Sequence, residues 1–295
     1  MIPRLIPREG VDKIVYQGSG VSIGRFRCDV GHPDFRDTGP IRQAVVVFPR
    51  TSVWIRHEGG REFVADPNVV TIYNRGQRYN RFPIHPAGDR CEWFALSDEL
   101  ARDVASWQTP AAAESPDRPF AYERAPGRVD LYARQRALFR RAAAAQLTEL
   151  EAEEEAIAIV GEVLTLAREH AARTATQRRA DAVRRRRDLA EAARAELARS
   201  PFENRSVADL ARALGTSPFH LCRVFKEETG QTMHAYRVGI RLRRAIDRMG
   251  TAVGRAPGGL SAIAHETGFA SHAHFVQICR RELGVTPTVL RARLG

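Results

Sequence analysis

The chain is poor in cysteine, with four in 295 residues: Cys28, Cys91, Cys222 and Cys279. Four scattered thiols are too few for a disulfide framework, so a reduced, cytoplasmic protein is expected. No apolar run of about 18 residues occurs, which excludes a membrane-spanning helix. The opening MIPRLIPREG has no apolar core, so no secretory signal is expected. Nucleotide and hydrolase fingerprints are lacking too: there is no P-loop, no G-x-S-x-G and no dinucleotide-binding glycine motif. Neither an enzyme nor a cofactor is expected from these absences.

What is present is basic charge, unevenly placed. The net charge is +11. Residues 173–295 hold 23 Lys/Arg against 11 Asp/Glu, while the rest of the chain holds 23 against 24. The whole excess lies in the C-terminal segment. A positive excess confined to one segment fits a surface that contacts phosphate.

That segment repeats itself. Val207 to Gly230 reads VADLARALGTSPFHLCRVFKEETG, and Leu260 to Gly284 reads LSAIAHETGFASHAHFVQICRRELG. Val207, Ala211, Gly215 and Ser217 correspond to Leu260, Ala264, Gly268 and Ser271. Leu221, Phe225 and Gly230 correspond to Phe275, Cys279 and Gly284. Apolar residues three and four apart predict one buried stripe per helix. Gly215 and Gly268 supply a stop at positive φ, and Ser217 and Ser271 supply N-caps. Each copy thus predicts a helix, a tight turn and a second helix that would enter a DNA major groove.

With S-P-x-H-L-x-R-x-F-K-x-x-x-G in the first copy, I-A-x-x-x-G-F-x-S in the second and G-V-T-P at 284–287, this block resembles the DNA-binding domain of the AraC family of transcription regulators. The resemblance implies a double-stranded DNA partner, a small-molecule effector, a homodimer and, for an activator, contact with RNA polymerase. Activation is the family's common role. The chain departs from the pattern at Cys279-Arg280, where Phe-Lys is usual, and in a longer connection from Met249 to Gly259.

The N-terminal half reads as β. Candidate strands are Val21–Arg27, Arg42–Phe48, Ser52–His57, Glu62–Ala65, Val69–Tyr73 and Cys91–Leu96, bounded by turn residues. Residues 1–20 read as an irregular lead-in, and 97–127 as a helical turn and a loop. Two helices follow, Val129–Gln146 and Leu147–Ala172, the second with a stripe of Leu150, Ile157, Val160, Leu164 and Ala167. They could cover the sheet or face a second subunit. The glutamates at 149–155 suit the positive end of a helix dipole. The expected fold is a two-domain α+β chain: a small β-barrel or sandwich with two following helices, then an all-α domain with two helix-turn-helix motifs. The resemblance implies a cupin-like sensor for the first part. The expected boundaries are 1–127 for the sensor, 128–172 for the helical pair, 173–187 for a basic linker and 188–295 for the DNA-binding domain. The run Arg184–Arg187 is expected as a solvated helix start.

Candidate DNA contacts are Phe219, His220, Cys222, Arg223 and Lys226 in the first copy, and His272, Ala273, His274, Gln277, Arg280 and Arg281 in the second. Arg223 suits guanine O6/N7 and Gln277 suits adenine N6/N7. Thr216, Ser217 and Ser271 are candidates for phosphate. Tyr236 and Leu242 are expected in the core, and Arg241 as a buttress between the two modules. In the β half, the aromatic residues Trp54, Tyr73, Trp93 and Phe94 are candidates for a ligand pocket, with Arg42, Arg56 or His57 able to receive an acidic group. Cys28, His32, His85 and Cys91 offer zinc-type ligand chemistry at spacings of no compact zinc motif. Two other readings follow from these features. One is a metal- or thiol-dependent sensor or enzyme domain fused to a DNA anchor, and the other is a helical protein-interaction module.

Overall fold

The computed structural model describes residues 11–108, 118–175, 180–251, 256 and 258–294. The chain divides into two compact units, Met1–His170 and Ala171–Leu294.

The first unit is built on two antiparallel sheets. Its strands are β1 (Asp12–Gln17), β2 (Val21–Cys28), β3 (Asp37–Thr38), β4 (Ala44–Pro49), β5 (Val53–His57), β6 (Glu62–Ala65), β7 (Val69–Tyr73), β8 (Tyr79–Pro83), β9 (Asp89–Leu96) and β10 (Arg124–Pro126). One sheet has the order β1-β2-β9-β4-β7-β10, the other β3-β8-β5-β6. Three helices accompany them: α1 (Asp98–Gln108), α2 (Val129–Ala143) and α3 (Glu149–Ala175).

The larger sheet is covered on both faces, and strand alternation sorts the side chains. Val46, Phe48, Phe94 and Leu96 pack with Leu131 and Leu138 of α2 and with Ile159, Val160, Val163 and Leu164 of α3. On the other face, Phe26, Cys91, Trp93 and Ala95 meet Val53, Ile55, Phe63 and Ala65 of the smaller sheet. Gly24 sits opposite Trp93 across β2 and β9. A Cβ there would lie 2.2 Å from the indole, so the glycine makes room for the ring.

Two polar clusters are sealed into this unit. Arg81 on β8 is fully buried, bonds Asp89 at 2.8 Å and also donates to Thr38. Its guanidinium lies over the Phe26 ring. Near α2, Arg50 and Arg136 both pair with Glu92, and Gln135 bridges Arg50 and Glu92.

Several expectations change. Four strands were not expected, namely β1, β3, β8 and β10, and α1 runs 11 residues where a single turn was expected. β8 reads YNRFP, which resembles a loop until Arg81 finds its buried partner. Leu150 is not part of the α3 stripe: it is 74% exposed, and Ala152, Ala156, Ile159 and Val163 take the buried face. The α3 glutamates serve as specific acceptors. Glu149 accepts from the Ser19 N–H at 2.9 Å and Glu153 from the Gly20 N–H at 2.7 Å.

The second unit is helical: α4 (Ala180–Arg199), α5 (Val207–Ala213), α6 (Pro218–Thr229), α7 (Met233–Met249), α8 (Gly259–Glu266), α9 (His272–Leu283) and α10 (Pro287–Arg293). The expected linker over 173–187 is largely helix, because α3 continues to Ala175 and α4 begins at Ala180. Its residues 176–179 lie outside the described residues, as do the lead-in residues 1–10 and most of the connection after Met249. The arginine run is divided. Arg184 lies 3.9 Å from Asp188, whereas Arg186 and Arg187 pair with Glu227 and Glu228 at the end of α6. These two arginines therefore brace α4 against α6 instead of standing free in solvent.

The Arg81–Asp89 pair yields a stability prediction. Asp89→Asn leaves a buried guanidinium without its counter-charge and is expected to cost about 3–5 kcal/mol. Urea unfolding of the full chain checks this. A cost below about 1 kcal/mol would mean that Arg81 finds another anion.

Candidate nucleic-acid interface

The first helix-turn-helix is α5, the turn 214–217 and α6. Ser206 caps α5 in a reciprocal box: its hydroxyl accepts from the Asp209 N–H, and Asp209 accepts back from Ser206. Gly215 turns the chain at φ +62°. Ser217 then caps α6, accepting from the His220 N–H at 3.2 Å, with Pro218 at the first helical position. Gly230 closes α6 at φ +78°, a left-handed position that suits glycine. The buried side is Leu210, Ala211, Leu221 and Phe225, joined by Ala193 and Leu197 of α4 and by Met233, Tyr236 and Ile240 of α7. Phe225 meets Tyr236 edge-on with ring centroids 5.4 Å apart. Val207, expected in the stripe, is exposed, and Leu210 takes that place.

The second copy repeats the scheme with α8 and α9. Gly268 turns at φ +80°, Ser271 caps α9 by accepting from the His274 N–H at 3.1 Å, and Gly284 closes it at φ +70°. Ile263, Ala264, Phe269, Phe275, Ile278 and Cys279 are buried. Phe269 and Phe275 pack at a tilt with ring centroids 4.9 Å apart. Burial pushes the Cys279 thiol up to about 12, so it is a neutral packing group there.

These caps and cores leave one face of each second helix outward. On α6, Phe219, Cys222, Arg223 and Lys226 are exposed and His220 is half-buried. Phe219, at 78% exposure, is a large apolar ring with nothing packed on it. On α9, His272, Ala273, Gln277, Arg280 and Arg281 are exposed. His274 is half-buried; its Nδ1 accepts from the Ala270 N–H at 3.4 Å and its ring meets Phe269. Arg281 pairs with Glu282 at 2.7 Å. Ser217 and Ser271 are exposed and Thr216 is half-buried. Neither α6 nor α9 has an acidic residue in its first turn. Each helix start therefore presents a positive dipole end with no competing carboxylate of its own, an arrangement suited to a phosphate oxygen.

Arg241 joins the two copies. From α7 its Nε donates to the Pro201 carbonyl at 2.8 Å and its Nη1 to the Gly268 carbonyl at 2.7 Å. Its Nη2 donates to the Glu203 carbonyl at 3.2 Å and to Asn204 Oδ1 at 3.1 Å. One guanidinium thus ties the segment before α5 to the turn between α8 and α9. Burial, helped by Arg237, draws its pKa down to about 10, so it keeps its charge at neutral pH. A Cβ on Gly268 would stand 3.0 Å from Arg241 Nε, which adds a packing reason for glycine there. Tyr236 and Leu242 are buried as expected.

The candidate residues of the β unit separate into two groups. Between the two sheets lies a cavity of about 310 Å³, lined in part by Tyr73, Trp93 and Arg42. Trp54 is not in its wall; on β5 the neighbours Val53 and Ile55 face inward, so Trp54 faces the other way. Phe94 packs toward the helices, Arg56 is exposed, and His57 is buried beside Tyr73 and bonds Gln77. Cys28 and Cys91 are buried free thiols. His32 and His85 each accept a backbone N–H two residues on through Nδ1, so both rings serve local turns. Among the described residues, no group of three His, Cys, Asp or Glu side chains is placed to hold a metal ion. Also among the described residues, no helix is long and apolar enough to cross a membrane.

The comparisons bear on the C-terminal unit. A family model described as a helix-turn-helix domain matches residues 210–293. The HTH-type transcriptional regulator GlxA of Rhizobium meliloti (strain 1021) is 40% identical over 87 residues, 29% of this chain. The chain covers 25% of that relative's length. ToxT from Vibrio cholerae O395 overlays 93% of this chain and 98% of its own, at 12% identity and a TM-score of 0.34. The AraC-like transcriptional activator CuxR overlays 91% of this chain and 90% of its own, at 14% identity and a TM-score of 0.36.

Arg241→Ala leaves the Pro201 and Gly268 carbonyls without their donor and is expected to destabilise the helical unit by roughly 2–4 kcal/mol. The check is urea unfolding followed by far-ultraviolet circular dichroism. Loss under about 0.5 kcal/mol would show that the two copies hold together without it.

Proposed function

We propose that this chain is a sequence-specific DNA-binding transcription regulator of the AraC type, a reading supported by the helix-turn-helix match over residues 210–293. The observation that carries the reading is the paired geometry of α6 and α9. Each is capped by serine, free of acid in its first turn and closed by a left-handed glycine, and each turns polar or basic side chains outward. Two such helices on one polypeptide suit successive major-groove segments about 34 Å apart on one DNA face. Arg223 and Gln277 are the proposed base readers; Lys226 and Arg280 are proposed to meet phosphate, with the helix starts at Ser217 and Ser271.

The finer reading gives the β unit the task of sensing a small molecule in the cavity between its sheets. A homodimer would double the number of groove contacts, and an activator would also touch RNA polymerase. The effector acts only if it binds one arrangement of the regulator better than another.

Footprinting of the full-length protein on DNA upstream of its own and neighbouring genes, across a salt series, tests this. The expected result is protection in two segments about one helical turn apart, weakening steeply as salt rises. Arg223→Ala is expected to relax base choice at one position by roughly 1–3 kcal/mol while leaving the salt slope little changed. Unaltered base preference in a binding-site selection would remove Arg223 from the readout. Absence of salt-dependent binding by the 171–295 fragment would sink the DNA reading as a whole.

A further inference from the structure

The cavity between the sheets has an unusual wall. Val45 and Val47 lie on β4, a central strand of the larger sheet, yet both are only partly buried because they border this space. Its lining is mainly apolar, with Phe26, Val53 and Ile55 among its members, beside the polar Thr38, Thr71, Asp12 and Asp89. One polar group there is unaccounted for. Gln43, just before β4, is 5% exposed, and its Oε1 is buried with no hydrogen-bond partner among the described residues. A buried amide oxygen that accepts nothing costs about 1–3 kcal/mol.

The charges around the cavity select among ligands. Asp12 and Asp89 are in the lining, and Asp89 is already matched by Arg81. Arg42 is the lining cation among the described residues and is itself exposed to solvent. Burial raises the Tyr73 phenol and the Cys91 thiol, and pushes Tyr79 up to about 12, so these three lining groups are neutral at physiological pH. A carboxylate entering this space would lose its hydration and gain no buried cation.

We infer that the cavity takes a small, neutral, largely apolar molecule bearing a hydroxyl, and that Gln43 is the group that recognises the hydroxyl. A hydroxyl both donates and accepts, so it satisfies the carboxamide in either orientation of that group. A cavity of about 310 Å³ sets the size at the small end of ligand sites. This ligand class rests on the sensing role proposed above.

The test uses the full-length protein and three probes of one skeleton: 4-propylphenol, 4-propylbenzoate and propylbenzene. Binding is followed by ligand-observed NMR titration, and affinity for the footprinted DNA is measured with and without each probe. The phenol is expected to bind at least about tenfold more tightly than either of the others. Gln43→Leu is expected to weaken the phenol roughly tenfold and leave propylbenzene unchanged or tighter. Val47→Phe, which adds bulk to the cavity wall from β4, is expected to remove binding of all three. Circular dichroism confirms that both variants fold.

Equal or tighter binding of the benzoate would overturn the neutral class while leaving a sensing cavity in place. Unchanged phenol affinity in Gln43→Leu would overturn the role of Gln43, water then being what satisfies it. Failure of all three probes to bind would overturn the proposal. Phenol binding that depends on Gln43 but leaves DNA affinity unchanged would support the ligand class and remove the sensing role.

Discussion

The relation between the two helix-turn-helix copies depends on one guanidinium. Arg241 has five N–H donors in a fixed plane, and the structure gives it four acceptors drawn from two parts of the fold. A lysine in its place would be a point charge on a flexible stem, unable to reach Pro201, Glu203 and Gly268 at once. The two helix-turn-helix copies have separate apolar cores, so packing alone would let each be well formed and still wrongly oriented. The shared helix α7 and the Arg241 fork set the relation between them. With a pKa near 10 the fork stays charged across the physiological range, so pH is no lever on it.

The C-terminal half was legible because local signals there agree with the tertiary ones. Serine caps, a proline at the first helical position, left-handed glycines and a helical apolar period all point to the same boundaries. Where one signal was weak, the assignment slipped by a turn. Val207 looked like the first buried position of α5, but Leu210 and Ala211 already fill the space beneath it. In the arginine run at 184–187, Arg184 and Arg185 are exposed as a solvated helix start requires, whereas Arg186 and Arg187 take partners on α6. Those partners, Glu227 and Glu228, are some 40 residues away, and an ion pair across that separation leaves no mark on local periodicity.

The β half was less legible, for reasons visible in single residues. Alternation along a strand gives two faces but does not say which one borders a cavity. Trp54 and Trp93 therefore looked alike, although only Trp93 lies in the wall. β8 carries Arg81 at a fully buried position, and a buried arginine reads as exposed until Asp89 is placed beside it. The short strands β3 and β10 exist only through pairing with β8 and β7, which no window of sequence contains. Gln43 left no signal either, because its significance is the partner it lacks.

The larger sheet makes the cavity and the helical layer parts of one packing problem. On β4 the alternate residues divide between them: Val45 and Val47 border the cavity, while Val46 and Phe48 press on the helices. β9 does the same with Trp93 and Ala95 against Phe94 and Leu96. A close-packed layer moves as a unit, so an occupant that shifts these strands cannot do so without repacking the faces of α2 and α3. At its start α3 is tied to the sheet, because Glu149 and Glu153 accept from the Ser19 and Gly20 N–H groups of the β1–β2 turn. The size of any such shift is bounded by an occupant's preference for one packing over the other, however tightly it binds.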